Sequence, residues 1–481
     1  MQLEDRRIES GQVHPGQVGD RPEAYPAGGS DPTRFDWTEA WYPVFYVADL
    51  DRQQPARFTL LGRDLVIWWD RQADCWRAFD DQCPHRLVPL SEGRIAEDGL
   101  LECPYHGWAF RGDGGCDRIP QQDPGTHANA SPRACVPSLP TTVRQGLLFV
   151  YAGQAANAPH VPVPITEPLE ETPDEWVCLD TFRDLPYDAL TLLENVLDAS
   201  HVPFTHHRSV SNRANATHMD LQVLEADKQG FKGYWAEGPR KGTLGPQSTT
   251  FTAPALMYHD VDSKTFGRTL TVVYAVPIRP GECRIFARFP FRFASKLPAF
   301  FIKLAPRWFN HLNQNRILED DQFFLHYQEK YFTARGGSGN YAKAFYLATR
   351  SDAFVMALRN WVNEFAAEPF PGAALSPRLP MTALMERYHS HTEQCASCRT
   401  ALANLQKLRL GLAIAAGVSW SAVPLVSVLR GGQPSLLLAL GLFGVPVILG
   451  GLWLWLGTWE QQFYQGDAKP LRNQPDPQAR R

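Results

Sequence analysis

Between Asp80 and Trp108 the chain places Cys83 and His85 in a Cys-x-His pair. After seventeen intervening residues, Cys103 and His106 follow in a Cys-x-x-His pair. Four metal-binding side chains on two short segments constrain both segments to converge on one site. Two thiolates and two imidazoles suit a tetrahedral zinc ion. They also suit a [2Fe–2S] cluster in which two Cys hold one iron and two His hold the other. A proline inside each pair, Pro84 and Pro104, restrains the backbone, and Gly107 allows a tight turn behind His106.

Cys-x-His followed by Cys-x-x-His is the spacing of a Rieske centre, and it favours the cluster over zinc. Thiolates keep one iron ferric while neutral imidazoles let the other accept an electron at a raised potential. The chain is therefore expected to move electrons. At 481 residues it is long enough for two or three domains with full cores. Its net charge of −4, from 47 basic and 51 acidic residues, gives no sign of nucleic-acid binding. Nine cysteines that include two cluster ligands argue for a reducing compartment rather than a disulfide framework. Cys75, Cys116, Cys135, Cys178 and Cys283 show no ligand spacing and read as small core residues.

Residues 1–38 open on a stretch rich in Gly, Pro, Asp and Glu with no apolar run. It predicts a disordered tail with neither a secretory signal nor a transit peptide. Short β-rich runs at 41–47, 58–61, 64–69, 76–79 and 147–151 predict an all-β domain over 39–155, with the cluster on two loops at one tip. The Pro-rich stretch 158–168 reads as a linker. Residues 170–390 predict an α+β domain. It has a helix over 185–201, antiparallel strands at 221–224, 231–235, 269–278 and 283–292, and a second helix over 309–332.

Asn195, Asp198 and His201 fall at i, i+3 and i+6, which a helix brings near one face. Pro203 is expected to disrupt that helix, leaving His201 and His206 on either side of its end. Asp198 can reach the ring N–H of His201 and orient it. Two imidazoles with one carboxylate make the facial triad of non-haem Fe(II) oxygenases. Asp321 is the candidate carboxylate. It sits in the middle of an apolar stripe of Ile317, Leu318, Phe324 and Leu325, and a buried carboxylate needs a partner. Asp320 falls off that stripe and reads as solvated or as a support to the ligands, and His207 reads as non-ligating.

These two constellations together resemble the Rieske non-haem iron ring-hydroxylating oxygenases over most of residues 40–330. The resemblance implies a helix-grip catalytic domain and iron ligands His201, His206 and Asp321. It also implies a head-to-tail homotrimer in which Asp198, with Asn195 in the catalytic set, bridges His201 to His106 of a neighbouring subunit.

Further on, Tyr388-His-Ser-His-Thr-Glu-Gln-Cys-Ala-Ser-Cys398 holds a Cys-x-x-Cys pair within residues 391–406. Cys395 and Cys398 read as a redox-active dithiol, because this motif lowers a thiol pKa and permits a reversible disulfide. A zinc site with His389 and His391 is the competing reading. Two apolar runs, 410–429 and 435–458, predict a transmembrane hairpin over 407–459, followed by a polar tail over 460–481. Basic residues Arg399, Lys407 and Arg409 before it, and Lys469, Arg472, Arg480 and Arg481 after it, place both flanks on the cytoplasmic or stromal face.

The Cys pair and the hairpin narrow the resemblance to the branch of pheophorbide a oxygenase, protochlorophyllide a oxygenase and the Rieske subunit of the inner-envelope translocon. Chlorophyllide a oxygenase is similar at the two iron sites. The branch implies a chlorophyll-derived tetrapyrrole as substrate, O₂ as oxidant and a membrane location. Without a transit peptide, a cyanobacterial member in a thylakoid or plasma membrane is expected. No G-x-G-x-x-G fingerprint opens a helix, so electrons must come from a separate protein, a ferredoxin with its reductase by resemblance. Two other readings are the same chemistry on another lipid-soluble substrate and a non-enzymatic redox sensor at a membrane.

Overall fold

A computed structural model of the chain describes residues 33–263, 267–430, 436–467 and 469–473. In the N-terminal lobe, strands Ala56–Leu60, Arg63–Asp70 and Cys75–Asp80 form an antiparallel meander with Ser138–Leu139 at its edge. The run Leu65-Val-Ile-Trp-Trp69 is apolar at every position because both faces of its strand are covered. Strand alternation sends Leu65, Ile67 and Trp69 into the main core. Val66 and Trp68 turn the other way, into a small core with Phe79, Cys83 and Cys103 that supports the cluster loops.

A second sheet pairs Trp41–Tyr46 with Leu147–Tyr151 and Thr141–Arg144. The third, from Arg94–Ile95, Leu101–Glu102, Ala109–Phe110 and Cys116–Arg118, carries the loops themselves. Its strands of two or three residues are too short to leave a periodic pattern, so the sequence reading lacks them. Residues 35 and 37, placed by the sequence reading in the tail, are tied to the folded body. Phe35 N–H donates to the Phe365 carbonyl at 2.7 Å and Trp37 Nε1 to the Ala367 carbonyl at 3.1 Å. Residues 1–32 lie outside the described residues.

The C-terminal lobe is built on a seven-stranded antiparallel sheet, in the order Val177–Leu185, Glu282–Phe293, Gly267–Arg279, Leu256–Ser263, Gln247–Thr252, Gly230–Trp235, Leu221–Asp227. The predicted α+β class holds, and three strands add to the four expected. The two lobes share one continuous apolar core, and Gly62 N–H donates to the Ile278 carbonyl at 2.7 Å between them.

One helix of 28 residues, Arg307–Ala334, lies along this sheet, and most of its buried residues are polar, with Leu312, Leu325 and Phe332 among them. His311, Gln314, Asn315, Glu319, Asp321, Gln322, His326 and Glu329 are buried, whereas Ile317, Leu318 and Phe324 are only half-buried. Of the expected apolar stripe, Leu325 alone is buried. Asp321 is buried among other polar groups, and Asp320 is buried as well rather than solvated. Glu319 anchors the helix through Arg183 at 2.7 Å and Arg387 at 2.6 Å, two pairs almost closed to solvent.

The C-terminal hairpin consists of helices Ala396–Arg430 and Leu436–Gln461. Cys398 lies in the first turn of the former, so no separate segment carries the Cys pair. Residues 431–434 of the predicted connection fall outside the described residues. Among the described residues, one stretch, Gly441–Gln461, is long and apolar enough to cross a bilayer. Leu410, Ile414, Val418, Val447, Ile448 and Leu454 leave apolar surface exposed along both helices. Past the hairpin the chain is stitched back onto the lobe. Arg387 N–H donates to the Tyr464 carbonyl at 2.9 Å and Thr392 Oγ1 to the Phe463 carbonyl at 2.7 Å.

Candidate metal centres

Two loops of matching shape hold the first constellation. Cys83 N–H donates to the Val88 carbonyl at 2.9 Å, and Cys103 N–H to the Trp108 carbonyl at 2.8 Å. Within each loop the fifth residue closes back, Leu87 N–H onto Cys83 at 2.8 Å and Gly107 N–H onto Cys103 at 3.2 Å. Both closures need a left-handed residue, and φ is +60° at Leu87 and +71° at Gly107. Gly107 thus makes the turn expected of it, while Leu87 makes the same turn with a side chain.

Cys83 and Cys103 are buried side by side, and the hydrogen bond from the Cys83 thiol holds Cys103 down at about 6. The His85 and His106 rings lie 4.5 Å apart by centroid, and His85 stacks on Trp108 at 4.7 Å and 6°. His85 Nδ1 is buried with no hydrogen-bond partner among the described residues. A buried lone pair left unpaired costs roughly 1–3 kcal/mol unless something coordinates it. Two adjacent thiols with an orphaned imidazole nitrogen fit a Rieske cluster.

The second constellation gathers around the end of the helix Ala189–Leu197. Asp188 caps its start, accepting from Thr191 N–H at 2.8 Å, and the helix stops at Leu197 because Asp198 is extended. His201 therefore does not continue that helix. It is instead the N-terminal cap of a four-residue helix, Val202–Thr205, and His206 is its C-terminal cap. Pro203 opens this helix rather than ending one, since the first turn needs no N–H there.

One turn between the two imidazoles aims both at Asp321. His206 Nε2 lies 3.2 Å from Asp321 Oδ2, and His201 Nε2 lies 3.9 Å from Oδ1. The three ligand atoms lie within 4.8 Å of one another. Their rear atoms are occupied: His201 Nδ1 meets the Asp198 backbone carbonyl and His206 Nδ1 meets Asp320 Oδ2 at 3.3 Å. Both rings can therefore carry the proton on Nδ1 and present the Nε2 lone pair inward, which is what metal ligation requires. Asn195 Nδ2 donates to Asp321 Oδ1 at 3.4 Å. Burial opposes a charged His206, but hydrogen bonds to Asp320 and Asp321 outweigh it and push its pKa up to about 9. The pocket is a cation site, and its donor set fits mononuclear non-haem iron.

Two assignments change. The Asp198 side chain does not orient His201; its carboxylate accepts from Ser200 N–H at 2.7 Å and Oγ at 2.5 Å, and the backbone carbonyl takes the ring instead. Asp320 orients His206, with Ser209 Oγ donating to it at 2.7 Å. His207 stays outside the triad, its Nδ1 accepting from Arg213 N–H at 3.2 Å. Two supports escaped the sequence reading. His259 Nε2 meets the Val196 carbonyl at 2.9 Å and fixes the helix end before His201. Arg472, expected only as a flanking charge, donates to the carbonyls of Asp320 at 2.5 Å and Thr205 at 3.1 Å. No local pattern around either residue signals these roles.

Beyond Asp321 on the same helix, Phe323, Phe324, Tyr327, Tyr331 and Phe332 line a cleft of about 470 Å³ with Phe345. Phe251, Tyr274 and Phe286 are fully enclosed in the core. A larger cavity of about 930 Å³, between Asp49, Arg57, Arg279 and Glu386, is lined by none of the triad residues. Cys395 and Cys398 are also buried, and they meet His311 and His391 rather than the exposed His389.

The chain matches the model of the Rieske [2Fe-2S] domain over residues 40–141 and that of pheophorbide a oxygenase over 251–338. It is 37% identical over 443 residues to the chloroplastic pheophorbide a oxygenase of Oryza sativa subsp. japonica, covering 83% of this chain and 80% of that one. Flavonoid 8-hydroxylase 2 of Ocimum basilicum is 33% identical over 424 residues, covering 81% and 78%. Among solved structures, dicamba monooxygenase bound to dicamba superposes with a TM-score of 0.55 at 19% identity, covering 68% of this chain and 97% of that one. At that identity the likeness concerns the fold.

Proposed function

This chain belongs to the Rieske non-haem iron oxygenases, in the family of pheophorbide a oxygenase, and from that membership we propose that it oxygenates a chlorophyll-derived tetrapyrrole at a membrane. The convergence of His201, His206 and Asp321 within 4.8 Å carries the oxygenase reading, since a protein that only sensed electrons would not need it. These three residues hold the iron, while Cys83, His85, Cys103 and His106 hold the cluster. When bound, the two centres supply one-electron transfer and O₂ activation. Asp320 and the Asp198 carbonyl keep protons on the outer nitrogens of the two imidazoles. Arg472 offsets the charge of the paired carboxylates behind them.

The aromatic cleft, lined from Phe323 onward on the helix that carries Asp321 and by no triad residue, suits a flat apolar substrate, and its volume falls within the usual range for ligand sites. Leu87 and Tyr105 are exposed beside the cluster loops and offer apolar contacts to a docking subunit or a ferredoxin. In a head-to-tail homotrimer, Asp198 would hold His201 through its backbone carbonyl while its half-exposed carboxylate faces His106 of the next subunit. Asp198→Asn should then keep both metals while turnover collapses. Loss of iron from the variant would make Asp198 structural. Both hairpin helices span the membrane, with the lobes on the cytoplasmic or stromal side of a cyanobacterial thylakoid or plasma membrane. The exposed apolar rows on both helices support this.

The test of the substrate is incubation of reduced enzyme with pheophorbide a, protochlorophyllide a and a flavonoid under labelled O₂. Label in a tetrapyrrole is expected. Label in the flavonoid alone would move the chain to the chemistry named for its Ocimum relative. Label in none of them, with full electron supply, would discard the tetrapyrrole assignment.

A further inference from the structure

We propose that His311, His391, Cys395 and Cys398 bind a zinc ion tetrahedrally, forming a third metal centre that clamps the long helix to the base of the hairpin. The four come from three separate places. His311 lies in the second turn of the helix Arg307–Ala334, and His391 lies in the wide turn Tyr388–Thr392. Cys395 and Cys398 straddle the start of the helix Ala396–Arg430. All four are essentially closed to solvent, and their ligand atoms lie within 4.8 Å of one another.

The spacing of those atoms is that of a coordination shell. His391 Nε2 is 3.1 Å from His311 Nδ1 and 3.3 Å from Cys398 Sγ. His311 Nδ1 is 3.4 Å from Cys395 Sγ and 3.5 Å from Cys398 Sγ. A zinc ion with bonds of about 2.05 Å to nitrogen and 2.3 Å to sulfur sets tetrahedral edges of roughly 3.3 Å between nitrogens and 3.6 Å between nitrogen and sulfur. The observed edges need only a few tenths of an ångström of expansion.

The hydrogen bonds behind the rings decide where their protons sit. His391 Nδ1 faces the Phe182 carbonyl at 2.6 Å, and His311 Nε2 faces the Asp180 carbonyl at 2.8 Å. Carbonyls only accept, so each imidazole donates its proton there. His391 Nε2 and His311 Nδ1 are then two lone pairs 3.1 Å apart, which repel unless a cation lies between them. Cys398 Sγ lies within 3.5 Å of both nitrogens and Cys395 Sγ within 3.4 Å of His311 Nδ1, so the sulfurs surround the same point as the two lone pairs. Carbonyl-tethered imidazoles are also the usual support of a zinc ligand. Two thiolates cancel the charge of Zn²⁺, so the buried site stays neutral.

A clamp here has a mechanical consequence, because His311 and Asp321 share one rigid helix. The site would hold that helix and the hairpin base in one register. It excludes the dithiol chemistry expected of Cys395 and Cys398, since both sulfurs are ligands and neither is open to a reductase.

The experiment uses the full-length, detergent-purified protein. Metal analysis should find one zinc per chain beside its iron. Zinc-edge X-ray absorption should show sulfur at about 2.3 Å as well as nitrogen near 2.0 Å, a shell that the sulfur-free triad cannot supply. Cys398→Ala and His311→Ala should each lower zinc content at least tenfold while the Rieske resonance signal, from the other lobe, persists. If these variants do not fold, the absorption spectrum of the unaltered protein still decides when its Rieske resonance signal accounts for one cluster per chain. The zinc then has no other sulfur-containing set of two Cys and two His among the described residues. Iron-replete protein without zinc, or with zinc bound by nitrogen and oxygen only, overturns the proposal. So does native-state alkylation of Cys395 and Cys398, or their joining in a disulfide under mild oxidation. None of these readouts involves pigment turnover, so a wrong substrate assignment would leave them unchanged.

Discussion

Two sets of two Cys and two His occur in this chain, with the same chemistry and opposite architecture. Cys83, His85, Cys103 and His106 come from 24 residues of sequence on two symmetric loops, with both imidazoles half-exposed at a tip. His311, His391, Cys395 and Cys398 span 88 residues, are fully buried, and close around a single point. The loops keep the two thiols together and the two rings together, the pairing in which two Cys would hold one iron and two His the other. The buried set mixes its sulfurs and nitrogens around one centre. Ligand type alone does not choose a cofactor; the spacing of the ligand atoms and the exposure of the rings do. An electron-transfer centre needs an exposed edge, and a structural centre needs none.

The sharpest way to break this comparison is Cys103→Ala, which should erase the Rieske resonance signal and reduce turnover to background while zinc content stays unchanged. Loss of both metals together would show that the two sites are not independent. Next in size are the carboxylates of the mononuclear iron site. Asp321→Ala should strip the mononuclear iron. Asp320→Asn, which weakens only the support of His206, should cost about 10–100-fold in iron affinity or turnover, read by metal analysis and O₂ uptake.

A smaller effect concerns pH. Burial holds His259 down at about 4, against an ordinary value of 6.5, so its neutral form is the one that folds. The unfolded chain binds the extra proton between those values, so this contribution is complete above pH 6.5 and lost as pH falls towards 4. The melting temperature should drop across that window, and His259→Gln should flatten the drop. An unchanged slope in the variant would assign the acid sensitivity elsewhere.

The smallest effects probe the symmetry of the cluster loops. At Gly107 an added Cβ would meet Pro120 Cγ at 3.2 Å with φ at +71°, so Gly107→Ala should cost about 1–2 kcal/mol in thermal stability. Leu87→Gly relieves the same left-handed strain but loosens the unfolded chain, and should change stability by less than about 1 kcal/mol.

Much of this was legible from local pattern. The Rieske pairs sit on short loops, so their spacing alone carries their geometry. The β-rich runs, the long helix and the apolar hairpin announce themselves by periodicity or length. His201 and His206 were legible for the same reason, being one turn apart. Their mode of support was not: Asp198 faces Ser200, and a backbone carbonyl holds His201 instead. The apolar stripe around Asp321 turns inward only in part, with Leu325 buried and Ile317, Leu318 and Phe324 half-buried, because most of the buried residues of that helix are polar.

What the sequence by itself determined is therefore whatever depends on residues within a turn or two of each other: the cluster loops, the paired imidazoles, the strand-rich and helical segments and the apolar hairpin. Only the tertiary structure decided which distant side chains meet. It brought His311 to Cys395 and Cys398 in place of the adjacent His389, placed Arg472 behind Asp320, and set His259 under the helix that leads to His201. The physical reason is that local spacing fixes direction along one element. Contacts across 60 to 270 residues follow from how whole sheets and helices bury their faces, and no short-range pattern encodes that.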